Sequence, residues 1–88
     1  MIGFELEHVA AALRAADLLV ETVGALPERA ADITDDSRTV QPGALFIAVR
    51  GSARDGHQYL PQAAQSGAVA AIVEDKERTT LPARVVRD

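Results

Sequence analysis

The sequence predicts a small α/β domain with a mixed, partly parallel, Rossmann-like sheet of about five strands, flanked by helices in two or three layers. Residues 45–49 (LFIAV) form a continuous apolar run, which is typical of a strand buried on both faces. Residues 58–66 (QYLPQAAQS) have the pattern of a short helix that ends at Gly67. Residues 68–74 (AVAAIVE) predict a second buried strand. Together these segments indicate a parallel βαβ unit with a right-handed crossover.

Three segments that precede this unit are expected to complete the first part of the fold. Apolar residues at helical spacing predict a helix from about Glu5 to Ala15, with His8 on its exposed polar face. Residues 18–23 (LLVETV) predict a strand. Residues 30–34 (AADIT) predict a short strand in which Ile33 points inward.

The end of the chain is expected to add one charged turn and one strand. Residues 74–80 (EDKERTT) are typical of a solvated turn or a short helix. Val85 and Val86 lie between two arginines, Arg84 and Arg87, which favours a strand at the edge of the sheet.

Length and composition restrict the classes of function. Eighty-eight residues allow one domain, residues 1–88, with one core. The net charge of −4 and the three aromatic residues argue against nucleic acid as a partner. The absence of cysteine excludes disulfides and thiolate metal sites. No secretory signal or membrane span is visible in the sequence, so we expect a soluble, cytoplasmic domain with no membrane partner.

Sequence motifs for catalysis are absent. The chain has no GxxxxGK[ST] phosphate loop, no GxGxxG and no HExxH. Its two histidines, His8 and His57, do not have the spacing of metal ligands. We therefore expect no catalytic residue, no metal ligand and no cofactor within this domain.

The loop from Gly51 to His57 (GSARDGH) has two interpretations. It follows a buried strand and precedes a helix, so that its backbone N–H groups, Ser52 and Arg54 are able to bind an acceptor-rich ligand. Alternatively, the two glycines permit a tight connection and Asp55 caps the helix. The spacing alone favours the second interpretation.

The polar cluster at residues 35–38 (DDSR) has two interpretations as well. A metal would need ligands beyond the two carboxylates, and none is evident. An Asx-type turn at Asp36 and Ser37 is favoured, with Arg38 paired to Asp36 or to Asp55 so that it holds the two loops together. Ser37 remains open to either a structural or a binding role.

The middle of the chain resembles the N-terminal domain of the Mur ligases, which are ATP-dependent enzymes of peptidoglycan precursor synthesis. The shared pattern is DSRxVxPGxLFxAxxG, then DGH, an aromatic residue, an alanine-rich helix and GAxA. It is met by Asp36, Ser37, Arg38, Val40, Pro42, Gly43, Leu45, Phe46, Ala48, Gly51, Asp55, Gly56, His57, Tyr59, Gly67, Ala68 and Ala70. The MurE type, which adds the third residue of the stem peptide, is the most similar, followed by the MurF type, which adds D-alanyl-D-alanine.

The resemblance implies a domain that binds the UDP part of a UDP-N-acetylmuramoyl-peptide. The positions that match the family's nucleotide contacts are Asp35, Ser37, Ser52, Ala53 and Arg54. The resemblance further implies that Asp36, Arg38, Gly51, Asp55, Gly56 and His57 shape the two loops. The ATP site, the magnesium ligands and the amino-acid pocket of the family belong to later domains, which we expect to be absent from these 88 residues. Those domains and the UDP-sugar-peptide are the expected partners.

Two alternatives remain open from the sequence. In the first alternative, the chain is a standalone scaffold or interaction domain that keeps the fold without the ligand. In the second, it is the first domain of a MurF-type ligase. A coding sequence that ends at Asp88 would favour the scaffold, and one that continues into GxxGKT would exclude it.

Overall fold

The computed structural model describes residues 3–49 and 55–87, and the account below concerns this part of the chain. Seven strands, two α-helices and three short 3₁₀ helices follow one another within it: β1 (Phe4–Glu5), α1 (Leu6–Ala15), β2 (Leu19–Val23), β3 (Arg29–Ala30), β4 (Asp32–Thr34), η1 (Ser37–Thr39), β5 (Ala44–Ala48), η2 (Gly56–Tyr59), α2 (Leu60–Gln65), β6 (Ala70–Val73), η3 (Lys76–Arg78) and β7 (Ala83–Val86).

Five of these strands form one mixed sheet in the order β2-β7-β6-β5-β4. β4, β5, β6 and β7 pair in parallel, and β2 is antiparallel to β7. β1 and β3 form a separate two-stranded antiparallel ribbon. The predicted fold class, a mixed and mostly parallel α/β sheet of about five strands, is confirmed.

β5 lies inside the sheet and sends its side chains into two apolar clusters, one on each face. Phe46, which is fully buried, belongs to a cluster that includes Leu60 and Ala63 of α2. Leu45 belongs to a second cluster, which includes Leu6 of α1. Because alternate residues of a strand point to opposite faces, the two helices cover opposite faces of the sheet. The domain therefore has three layers. The sequence had predicted either two or three.

The predicted βαβ unit is present between β5 and β6. The two strands are parallel, with Leu45 opposite Ala70 and Ala48 opposite Val73. The connecting helix begins with the 3₁₀ turn η2, and Pro61 lies in the first turn of α2, where a missing backbone N–H removes no helical hydrogen bond. Gly67 follows the helix with a φ of 105°, a conformation that favours glycine.

The structure corrects the predicted position of the last strand. β7 lies between β2 and β6 and is not an edge strand; β2 and β4 occupy the two edges. Arg84 is compatible with this inner position because its guanidinium has polar neighbours, with Nη1 2.9 Å from Thr22 Oγ1 of β2 and Nη2 3.5 Å from Glu7 Oε2 of α1. The flanking arginines therefore did not indicate an edge.

The segment predicted as one strand at residues 30–34 is divided between β3 and β4. Ile33 is half-buried against the cluster under α1, in agreement with its predicted inward direction. His8 is exposed on α1, and its Nε2 lies 3.0 Å from Glu5 Oε2. Within the described residues, none of the helices has the length and hydrophobicity that a bilayer crossing requires.

Candidate functional site

The candidate site lies on the side of the sheet that is formed by the C-terminal ends of the parallel strands β4, β5 and β6. Their last residues are Thr34, Ala48 and Val73. Because the strands are parallel, the segments that follow them emerge at the same edge. The segment after β4 contains the DDSR cluster, and the segment after β5 contains the glycine-bounded loop.

The turn after β4 is held by hydrogen bonds around Asp36. Its Oδ1 accepts from the backbone N–H of Arg38 at 2.9 Å, which is the geometry of an Asx turn. Arg38 Nε and Nη2 donate to the two oxygens of the same carboxylate at 3.0 and 2.9 Å. The Asp36 carboxylate, through these hydrogen bonds, raises the pKa of Arg38. Arg38 thus pairs with Asp36, one of the two partners considered from the sequence.

Two threonines close the same turn. Thr34 Oγ1 lies 2.8 Å from Thr39 Oγ1 and accepts from the backbone N–H of Asp36 at 3.1 Å. Thr39 Oγ1 also donates to the carbonyl oxygen of Asp36 at 3.0 Å. The turn is therefore fixed by its own side chains immediately beyond the end of β4.

Ser37 is the polar residue of this turn that points into the domain. It is only 9% exposed, and its Oγ is 3.4 Å from Gln62 Oε1 of α2, a long hydrogen bond. Ser37 therefore lies between the turn after β4 and the helix that follows β5. Asp35, in contrast, is exposed.

Four of the loop residues singled out from the sequence, Gly51, Ser52, Ala53 and Arg54, lie outside the described residues. The two ends of this loop are within them. The backbone N–H of Gly56 donates to the carbonyl oxygen of Val49 at 2.9 Å. A Cβ on Gly56 would lie 2.9 Å from that same oxygen, closer than real Cβ contacts come. Glycine at position 56 therefore permits the two ends of the loop to approach each other.

Asp55 uses both carboxylate oxygens where the loop enters η2. Oδ1 accepts from the backbone N–H of His57 at 3.0 Å and lies 2.7 Å from His57 Nδ1. Oδ2 accepts from Arg78 Nη1 at 2.5 Å. The hydrogen bonds from His57, with that from Arg78, hold the pKa of Asp55 well below its usual range. Asp55 therefore caps η2 and also reaches the turn that follows β6.

His57 connects two neighbouring strand ends. It is 2% exposed, and its Nε2 lies 3.1 Å from the backbone nitrogens of both Glu74 and Asp75. Because backbone N–H groups only donate, Nε2 is the acceptor, and Nδ1 carries the proton that is donated to Asp55. The hydrogen bonds thus assign one tautomer to His57.

Sequence reasoning did not find the contribution of residues 74–78 to this edge. Arg78 lies in a charged run that is typical of a solvated turn, and its partner Asp55 is 23 residues away along the chain. The backbone N–H groups of Glu74 and Asp75 carry no side-chain signal at all. No feature of a single sequence pointed to these contacts.

The chemistry available at this edge is that of hydrogen bonding and charge. Across residues 3–49 and 55–87, no three His, Asp or Glu side chains converge in a way that would hold a metal ion. The side chains form a framework of turns around Ser37 and the two ends of the loop after β5. Such an arrangement is suited to binding a polar ligand at the carboxyl ends of parallel strands.

The fold and the position of these residues define an α/β domain with polar turns at the carboxyl ends of its parallel strands. A family model described as "Mur ligase family, catalytic domain" matches residues 30–87, which is well over half of the chain. The chain belongs to the Mur ligase family.

Curated relatives agree with this assignment. The "UDP-N-acetylmuramoyl-L-alanyl-D-glutamate--2,6-diaminopimelate ligase" of Listeria innocua is 50% identical over 56 residues, which cover 64% of this chain and 11% of that protein. The protein of the same name from Chlorobaculum tepidum is 46% identical over 68 residues, and the match covers 67% of this chain and 13% of that protein. A "UDP-N-acetylmuramyl-tripeptide synthetase" of Roseiflexus sp. is 56% identical over 45 residues, and the match covers 51% of this chain and 9% of that protein. The chain thus spans about a tenth of the length of these relatives.

Solved structures share the fold. MurF from Acinetobacter baumannii superposes with a TM-score of 0.78 at 24% identity, and the match covers 98% of this chain and 18% of that one. MurF from Thermotoga maritima, solved in complex with ADP, has a TM-score of 0.50 at 35% identity, and the match covers 57% of this chain and 13% of that one.

Proposed function

We propose that this chain is the N-terminal, substrate-docking domain of a MurE-type ligase and that it binds the UDP part of a UDP-N-acetylmuramoyl-peptide. The proposed contacts are Asp35 and Ser37 in the turn after β4, and Ser52, Ala53 and Arg54 in the loop after β5. The domain itself performs no chemistry in this proposal.

The relatives support the MurE type. Proteins whose names specify a UDP-N-acetylmuramoyl-L-alanyl-D-glutamate ligase or a tripeptide synthetase are 46–56% identical to this chain over the matched residues. The MurF structures, at 24% and 35% identity, support the fold and leave the first domain of a MurF-type ligase as the alternative.

One observation carries the proposal of a nucleotide site. The buried Ser37 hydroxyl and the loop between Val49 and Asp55 follow adjacent parallel strands, β4 and β5, at the carboxyl edge of the sheet. The carboxyl ends of the strands are the side on which open α/β sheets bind their ligands. Ser37 supplies a hydroxyl that both donates and accepts hydrogen bonds.

Titration of the ¹⁵N-labelled chain with UDP and with UDP-N-acetylmuramic acid tests the proposal. We expect the amide resonances of Ser37 and of Ser52 to Arg54 to shift, with a dissociation constant on the order of 1 mM for a domain without its neighbours. CDP and inorganic pyrophosphate, titrated in parallel, separate recognition of uracil from binding of the phosphates. A folded domain whose spectrum does not change at UDP concentrations well above this dissociation constant would contradict the proposal.

A matched pair of serine variants tests the role of the hydroxyl. Ser37→Ala is expected to weaken UDP binding about three- to tenfold, corresponding to roughly 0.5–1.5 kcal/mol for one hydrogen bond. Ser66→Ala is the control, because Ser66 lies at the opposite end of α2. Equal affinities of the two variants would remove Ser37 from the site.

The activity of the whole protein is part of the same proposal. A ligase of this type uses ATP and magnesium to join an amino acid to the UDP-sugar-peptide in peptidoglycan biosynthesis, a cytoplasmic process tied to cell shape and division. In this proposal the ATP site and the magnesium ligands belong to later domains of the same protein, which contact this one. Reading the coding sequence beyond Asp88 tests it: a GxxGKT motif is expected there, whereas a stop codon would favour the standalone scaffold domain.

A further inference from the structure

The Ser37 hydroxyl and the side-chain amide of Gln62 form a pair between the turn after β4 and the first turn of α2. Ser37 is 9% exposed, and its Oγ donates to Gln62 Oε1 at 3.4 Å. Gln62 is exposed, so its amide is open to a ligand that lies against Ser37. The turn that carries Ser37 is itself fixed by the Asp36 cap. The pair is therefore held by η1 and α2.

The direction of this hydrogen bond determines what the Ser37 hydroxyl offers to a ligand. A serine hydroxyl has one proton and two lone pairs, whereas an amide oxygen only accepts. Because the proton points to Gln62 Oε1, the lone pairs of Ser37 Oγ remain for a ligand. Gln62 Nε2 belongs to the same planar amide and carries two N–H donors. The pair therefore presents an acceptor, Ser37 Oγ, next to a donor, Gln62 Nε2.

Few groups of UDP are able to donate to the lone pairs of Ser37. The carbonyl oxygens of the base and the ionised oxygens of the diphosphate only accept, which leaves the uracil N3–H and the ribose hydroxyls as donors. The uracil edge places its N3–H donor beside a carbonyl acceptor, and this order is complementary to Ser37 Oγ and Gln62 Nε2. Cytosine has the reverse order, with an unprotonated N3 beside an amino group. A ribose hydroxyl both donates and accepts, so it needs no ordered pair.

We propose that Ser37 and Gln62 read the Watson–Crick edge of the base and select uracil over cytosine. Ser37 Oγ accepts from the uracil N3–H, and Gln62 Nε2 donates to a neighbouring carbonyl oxygen of the base. The inference rests on the proposed function, since it takes Ser37 as a nucleotide contact. It adds Gln62 to that site as a specificity-determining residue.

Four nucleotides test the base contact on the original chain. UDP is expected to bind about tenfold or more tightly than CDP and N3-methyl-UDP, because each of these leaves a polar group of the pair without its partner. 2′-Deoxy-UDP, which keeps the base edge, is expected to bind as tightly as UDP. A chain that does not bind UDP would overturn the proposed function and this inference with it. Equal affinities for UDP and CDP, or a loss confined to 2′-deoxy-UDP, would overturn this inference alone.

Gln62→Glu and Gln65→Glu form a matched pair of variants. Both add one negative charge to α2 at an exposed position. The carboxylate at position 62 still accepts from Ser37 but has no N–H to donate. We expect the ratio of the UDP and CDP affinities to fall at least about fivefold in Gln62→Glu and to stay unchanged in Gln65→Glu.

This ratio cancels the repulsion between the added charge and the diphosphate, because both ligands carry the same diphosphate. An unchanged ratio in Gln62→Glu would remove Gln62 from base recognition and overturn the inference, whether or not UDP still binds tightly.

The hydrogen bond itself is tested without any ligand. The side-chain NH₂ signals of Gln62 in the ¹⁵N spectrum are assigned by their loss in Gln62→Glu. We expect these signals to shift in Ser37→Ala and to stay in place in Ser66→Ala, since Ser66 lies at the opposite end of α2. Signals that stay in place in both variants would show that the pair does not form, and the inference would fall even for a chain that binds UDP.

Discussion

Gly67 and Pro42 approach so closely that a Cβ on Gly67 would lie 2.7 Å from the Cα of Pro42. The carbonyl oxygen of Gly67 also accepts from the backbone N–H of Gly43 at 2.8 Å. The end of α2 therefore lies directly against the turn that leads into β5. This contact fixes the βαβ unit at the edge of the sheet opposite to the candidate site.

Gly67→Ala is expected to lower the free energy of unfolding by at least about 1–3 kcal/mol. The new Cβ would meet the Pro42 backbone, and the φ of 105° disfavours any residue except glycine. Urea unfolding followed by circular dichroism measures the change. Gln65→Ala, an exposed position of the same helix, should stay within about 0.5 kcal/mol of the original. Equal stability of the two variants would show that the contact is not restrictive.

Phe46→Ala is expected to cost about 3–5 kcal/mol, because Phe46 is fully buried at the centre of the cluster under α2. A domain of this size has little stability to lose, so we expect the variant to be largely unfolded at 37 °C. Phe4→Ala is the control, since Phe4 is 43% exposed. Thermal unfolding of the two variants compares them, and a folded Phe46→Ala with an unchanged midpoint would contradict the assigned core.

Asp55 gives the domain a defined dependence on acid. Its pKa in the folded state is depressed, first by hydrogen bonding to His57 and then by Arg78. The carboxylate therefore stabilises the fold above the pKa of the unfolded chain, about 3.9, and this contribution is lost as the pH falls below that value.

Asp55→Asn is expected to flatten the dependence of the urea midpoint on pH between about pH 5 and pH 2. The original chain should lose stability more steeply in this range. Asp32→Asn, which removes an exposed carboxylate, is the control. Parallel curves for the original chain and Asp55→Asn would show that Asp55 does not supply this dependence.

Asp36→Ala is expected to cost about 1 kcal/mol, the usual loss when a capping carboxylate is removed. Asp36 caps η1 through the backbone N–H of Arg38 and also holds the Arg38 guanidinium. Arg38→Ala should cost less, because it leaves the backbone cap in place and Arg38 is 79% exposed. Urea unfolding ranks the two variants, and the reverse order would contradict the cap.

The parts of the fold that could be predicted are those in which local pattern and burial agree. The run at residues 45–49 indicated an inner strand, and β5 has its side chains in both clusters. Gly67 was predicted to end a helix, and it follows α2 with a positive φ. In these segments the hydrophobic period and the turn residues specify the same structure.

The position of β7 could not be predicted, because it depends on a partner far away in the sequence. Val85 pairs with Glu21 of β2 and with Val73 of β6. Arg84 looked like the mark of an exposed edge, yet its side chain is 11% exposed and reaches Thr22 across the strands. A charged residue beside a short apolar run therefore does not distinguish an edge strand from an inner strand whose charged side chain finds hydrogen-bond partners on neighbouring elements.

At the candidate site the local turns could be predicted, whereas the contacts between distant segments could not. The local pattern indicated an Asx-type turn at Asp36 and Ser37 and a helix cap at Asp55. In the structure the Asp36 and Asp55 carboxylates each accept from a backbone N–H two residues further along. The reach of His57 to residues 74 and 75, and of Arg78 to Asp55, follows from the sheet order and the position of η3. Such contacts depend on tertiary structure, which a single sequence does not encode in a readable pattern.

The inner position of β7 has a consequence for synthesis on the ribosome. β2 pairs with β7 in the five-stranded sheet, and the two strands are separated by about 60 residues. At about 5–20 residues per second, β2 emerges roughly 3–12 s before that neighbour. During this interval β2 has no partner strand in the sheet, and β6 lacks its neighbour on one side. The last strand therefore completes the domain, and a nascent chain shortened before Ala83 would expose both halves of an unfinished sheet to chaperones and proteases.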